Sequence, residues 1–185
     1  LPAGNGIGSM QVEVFWKEHD GSESDPLVTN TTNNVSGACI AVYRKGGSEA
    51  WETPVGAGGP DTTADTSKSM TIGSHVSVVS GDWVDFFLAV RDNTTMTVPN
   101  ITQTGVTYGT VSEQPATALD TTSGGDMAAD GGYREATSGT SSAAAVITGT
   151  LSTSETGSAW MTRLRAAAAT NAPAEAAAVT VAASN

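Results

Sequence analysis

The chain has one cysteine, two histidines and only eight lysines and arginines among its 185 residues. Each scarcity excludes something. With Cys39 alone no intrachain disulfide can form, and its place in the apolar stretch "ACIAVYR" makes it a small packing residue, not a nucleophile. No stretch approaches the roughly 18–20 uninterrupted apolar residues of a helical membrane span, so no membrane partner is expected. The few cations face 19 acids, for a formal net charge of −11, a balance that repels phosphate backbones and argues against nucleic-acid binding.

Catalytic signatures are equally scarce. His19 and His75 stand in no metal-ligand spacing, and a Ser-His-Asp triad would have to be assembled from scattered loops. There is no Gly-x-Ser-x-Gly elbow and no His-Glu-x-x-His. "GAGGP" at Gly56 lacks the helix and the Lys that a phosphate loop requires and reads as a turn. No enzyme activity and no cofactor are expected.

What is present is strand pattern. Hydrophobic residues make up 38% of the chain and charged ones 15%, with Thr, Ser, Gly and Asn abundant, a mixture that suits secreted or surface-exposed β proteins. "MQVEVFW" alternates in period two; "ACIAVYR" and "DWVDFFLAV" read as fuller apolar strands. "SMTIGSHVSVV", "TGVTYGTV", "AAVITGTL" and "SAWMTRLR" complete the set, separated by turn clusters such as "DGSESDP", "KGGSE", "GAGGPD" and "TTSGGD". "DMAADGGY" fits strand or loop equally well. Short strands between Gly- and Pro-rich turns predict an all-β, antiparallel β-sandwich over residues 1–167. From residue 168 to 185 the chain is Ala-rich and broken by Pro173, which predicts an extended arm or linker that a neighbour would order.

Few side chains offer themselves as a site. Asp20, Glu23 and Asp25 lie close together in "HDGSESD" and are candidate Ca²⁺ ligands, although without EF-hand spacing a solvated acidic loop is the plainer reading. The same holds for Asp61 with Asp65 and for Asp120 with Asp126. Of the four tryptophans, Trp16, Trp83 and Trp160 fall inside strand patterns and read as core or half-buried. Trp51, in the loop "KGGSEAWETP", is the one candidate platform for stacking a sugar. Asn30, Asn34, Asn93 and Asn100 match glycosylation sequons, which also occur as ordinary strand-edge chemistry.

The chain also repeats a pattern of segments. Trp16-Lys17-Glu18 is answered by Tyr133-Arg134-Glu135, "LVTNT" at Leu27 by "VITGT" at Val146, and "SGACIAVYRK" by "TGSAWMTRLR", with Arg44 falling on Arg165. Segments in the same order with loop-sized differences predict a duplicated half-sandwich, each copy closing on an arginine strand. The second copy has upstream strands, "SMTIGSH" and "DWVDFFLAV", that the first lacks. Their counterparts are expected before Leu1 or from another chain, since an open sheet edge is otherwise exposed.

The succession "VEVFWK…VTNT…GACIAVYR…VSGDWVDFFLAV…GYRE…VITGT…SAWMTRLRAA" resembles a diverse group of phage and bacterial surface proteins. Gly81-Asp82, Tyr43-Arg44 and Ala159-Trp160 fit their pattern, whereas "VPNITQTG" replaces the usual Pro-Ser-Gly-Trp turn. The resemblance implies a jelly-roll-like sandwich in a virion component: a head decoration protein, head fibre or tail protein at the virion surface. It implies contacts with capsid or tail proteins and with copies of the chain itself, a trimer being the natural guess. It carries no catalytic residue across. The alternative is a carbohydrate-binding or adhesin module centred on Trp51.

Overall fold

Three long strands carry most of the architecture. The structure, a computed structural model, describes residues 6–7, 10–11, 14–18, 41–44, 50–72, 76–91, 94–114, 119–120 and 127–167. Its strands are β1 (Gly6–Ile7), β2 (Met10–Gln11), β3 (Val55–Thr71), β4 (Val78–Val79), β5 (Trp83–Arg91), β6 (Asn100–Gln103), β7 (Val106–Tyr108), β8 (Ser112–Glu113), β9 (Leu119–Asp120), β10 (Met127–Ser141) and β11 (Ala145–Leu164). There is no helix among the described residues. The protein is all-β and every strand pairing is antiparallel.

β1 and β2 pair with each other, and the other nine strands form one hydrogen-bonded sheet. Its main path runs β3–β11–β5–β10–β4, with β6 on β11 and β7, β8 and β9 on β10. The long strands exchange neighbours along their length. β11 pairs with β6 over Ala145–Thr148 and with β5 over Gly157–Leu164, while β3 follows it on the other side throughout. β10 likewise meets β5 from Met127 to Glu135 and then turns to β7 and β4. Register shifts in the β3–β11 ladder between Thr150 and Gly157 mark the place where one half of the sheet gives way to the other.

Alternation sorts the side chains. Val84, Phe86, Leu88 and Val90 point to one face of β5 and are fully buried. They join Met161 and Ala159 of the same half, and Ile101, Ile147, Met70, Ile72 and Val78 of the other, in one continuous core. Truncating a large apolar side chain at such a site costs about 2–5 kcal/mol. Part of the core's polar margin is satisfied internally. Gln103 donates to the carbonyls of Val76 (3.0 Å) and Ala143 (2.6 Å) and accepts from Tyr108 Oη (3.1 Å). Arg134 lies over the Tyr108 ring, 5.5 Å from its centroid, and donates to the carbonyls of Gly109 and Ile101. Burial is the main reason the Tyr108 phenol is pushed up to about 12, against the pull of the Arg134 charge and with a smaller push from Asp82.

Two expected turns are strand instead. "GAGGPD" belongs to β3, because Gly56 and Gly58 lie beneath the flat indole of Trp160 on the neighbouring strand. A Cβ at Gly56 would stand 2.8 Å from the indole Nε1, and one at Gly58 would collide with the ring. The glycines are close-approach residues, not turn residues. The expected strands "AAVITGTL" and "SAWMTRLR" are one 20-residue strand, since "STSETG" bulges without breaking the ladder.

"DWVDFFLAV" and "TGVTYGTV" contain β5 and β7 as expected, and "DMAADGGY" opens β10. Trp16 is a correction: it is 44% exposed, not core or half-buried, in a segment, 14–18, that carries no strand. The first copy of the repeat is described only at 14–18 and 41–44. Over the latter the fuller apolar strand expected of "ACIAVYR" is a correction: Ala41 and Tyr43 are half-buried, Val42 and Arg44 are exposed, and residues 41–44 carry no strand. The arm at 168–185 lies outside the described residues, as does Cys39.

Candidate functional site

The second face of β5 carries the molecule's aromatic chemistry. Trp83, Asp85 and Phe87 alternate with the core residues and project to the opposite side. In the β5–β10 register Tyr133 lies opposite Asp85, and Trp83 is its diagonal neighbour. The Trp83 and Tyr133 rings stack, with centroids 5.2 Å apart and planes 13° from parallel. Tyr43 closes on both edge-on, 6.1 Å from Trp83 and 5.6 Å from Tyr133, and its hydroxyl donates to Gln114 Oε1 at 3.2 Å. A single residue of the segment 41–44 thus ties that segment to the sheet.

Asp85 shares this face, opposite Tyr133 and two residues from Trp83. Burial pushes its carboxyl up to about 6, partly offset by the nearby Tyr43 hydroxyl and by the Phe86 backbone N–H. It is therefore an acid that changes charge close to neutrality, on the same face as the aromatic cluster. Such a surface can stack a planar or sugar-like group and offer it a hydrogen bond, the combination that carbohydrate recognition uses.

A charged cluster closes the end of the same half-sheet. The segment 79–82 turns back with Gly81 at φ +92°, and Asp82 Oδ2 accepts from the Val79 N–H at 2.8 Å. Arg165 grips Asp82 with two bonds, Nε to Oδ1 at 2.7 Å and Nη2 to Oδ2 at 2.6 Å. Those bonds hold the Arg165 guanidinium above its ordinary range. Arg163 adds an ion pair to Glu52 at 3.0 Å and a bond to the Ser77 carbonyl at 3.2 Å. The Arg-terminated strand expected from the sequence is thus where β5, β11 and residue 52 are clamped together.

Trp51 belongs to this clamp. It bridges Ala166 across the end of β11, is half-buried, and is flanked by the backbone bonds Glu52 N–H to Arg165 O (2.8 Å) and Ala167 N–H to Ala50 O (2.7 Å). A separate set of stacking rings is formed by Trp83, Tyr133 and Tyr43, a grouping visible only once β5 and β10 are paired. Asp61 and Asp65 converge not on solvent but on Lys68. The other candidate ligands, Asp20, Glu23, Asp25 and Asp126, lie outside the described residues, as do His19, His75 and the side chain of Asp120. Among the described residues no three His, Cys, Asp or Glu side chains come together to hold a metal ion. No family model, no curated protein and no solved structure matches the chain.

Proposed function

We propose that the chain is a structural protein of a bacteriophage particle, a head decoration, head-fibre or tail component at the virion surface. It works through protein–protein contacts with copies of itself and with capsid or tail proteins, and this reading assigns it no reaction. A jelly-roll-like sandwich is the fold that suits this role, and the antiparallel sheet and its continuous core support that reading.

The observation that carries the reading is a pair of adjacent aromatics left in water. Phe15 is 83% exposed and Trp16 44%, with Val42 at 70% on another segment outside the sheet. Exposed aromatic side chains of this size are the kind that anchor protein interfaces when covered. The test is particle incorporation and oligomeric state of wild type and of the double variant Phe15→Ser/Trp16→Ser. The proposal expects an oligomeric wild type found in particles, and a variant with an unchanged β spectrum that is monomeric and excluded. A monomeric wild type absent from particles contradicts it.

A second reading, a carbohydrate-binding or adhesin module, is favoured by the stacked Trp83–Tyr133 pair on the face that carries Asp85. Glycan-array binding that is lost in Trp83→Ala or in Trp51→Ala would place it above the first.

A further inference from the structure

The most unusual side chain in the molecule is Lys68. It is one of the largest fully buried residues, with its side chain at 0% exposure, and it occupies a core-facing position of β3 in line with Met70. Its cross-strand partner is Gly149, where the missing side chain leaves space otherwise bounded by Leu88. Nζ lies 3.0 Å from Asp61 Oδ2, 3.2 Å from Asp65 Oδ1 and 2.8 Å from the Thr63 carbonyl. Asp61 is itself held in place, because its Oδ1 accepts from the Thr63 N–H at 2.9 Å. Asp65 Oδ1 is buried and makes no hydrogen bond.

We propose that Lys68 and Asp61 condense into an intramolecular amide, with Asp65 moving the protons. Asp65 Oδ1 takes a proton from Nζ, and the neutral amine attacks Cγ of Asp61. The Nζ–Cγ bond forms and one Cγ–O bond of Asp61 breaks. The two protons that Nζ gives up leave with that oxygen as one water, and Asp65 ends in the state in which it began. No oxidant or reductant is involved.

Three features favour the step. The reacting groups are held at contact distance, which converts a bimolecular condensation into an intramolecular one of very high effective concentration. Burying an ammonium is costly even when it is paired, and the product replaces it with a neutral amide. Asp61 and Asp65 are 18% and 43% exposed, so the site is dry around Nζ yet open on the side from which water departs. The bond would staple β3 at the place where its ladder with β11 shifts register, fixing the corner between the two halves of the sheet.

Intact mass of the folded full chain, followed by tryptic mapping, tests this. The wild type is expected one water lighter than its composition, with no cleavage after Lys68, so that residues 46–91 appear as one peptide. Asp65→Asn is expected to keep the wild-type circular dichroism but to show the full mass. Lys68→Met controls for ring closure at an aspartate alone, which also loses water but leaves the lysine cleavable. A wild-type chain of full mass, or a lost water that persists in Lys68→Met, overturns the proposal. An Asp65→Asn chain as light as wild type removes Asp65 from the chemistry.

Discussion

Among the described residues, two clusters pair a cation with carboxylates, and they do so differently. At the end of β11, Arg165 meets Asp82 through two short bonds and Asp82 also caps the Val79 N–H, while the neighbouring Arg163 leaves its buried Nε without a hydrogen bond. At the β3 corner, Lys68 faces two carboxylates, one of which makes no hydrogen bond. A planar guanidinium suits a permanent bidentate grip. A primary amine is a compact charge that can also become a nucleophile. The first cluster is a clamp; the second is arranged for reaction.

The largest effect is expected at the clamp. Asp82→Ala strands the Arg165 guanidinium and the Val79 N–H, and should lower unfolding free energy by about 3–5 kcal/mol in urea titration. Lys68→Met should cost less, about 2–3 kcal/mol, the size of a lost cross-link closing a short loop. A cost at Lys68 exceeding that at Asp82 would break the ranking.

A third carboxylate sharpens the contrast, because burial and not a neighbouring cation sets the charge of Asp85. Burial puts its folded-state value at about 6, above the ordinary 3.8. The folded protein therefore binds the extra proton between those values. The resulting stability is fully present below about pH 4 and is lost as pH rises through about 6. Asp85→Asn should raise stability at pH 8 by about 1–2 kcal/mol, after allowance for its partial exposure, and leave it unchanged near pH 4. Urea titrations at both pH values check this, and equal effects at the two would contradict it. The smallest effect belongs to Glu52→Gln, whose side chain is 39% exposed: below about 1 kcal/mol, and smaller still in high salt.

The all-β class and the strand β5 were legible from alternation and apolar runs, which survive any tertiary context. β3 was not. Its "GAGGPD" has turn composition, and only the indole of Trp160 on another strand explains why glycines line a strand there. β11 looked like two strands because Ser and Thr at a bulge resemble Ser and Thr in a turn. The acids Asp61 and Asp65 were visible as a cluster, and Lys68 follows Asp65 by three residues. The missing signal was direction, since nothing local says that a lysine in "TSKSM" points into the core. The Trp83–Tyr133 stack depends on a register between strands far apart in sequence, which no local pattern encodes.

The central claim is that the Lys68 corner is covalently closed while the Arg165 clamp is not. The most direct measurement is the denatured intact mass of the wild-type chain. The expected result is a deficit of one water, carried by a peptide in which Lys68 resists trypsin. A mass equal to the full composition, with ordinary cleavage after Lys68, contradicts it.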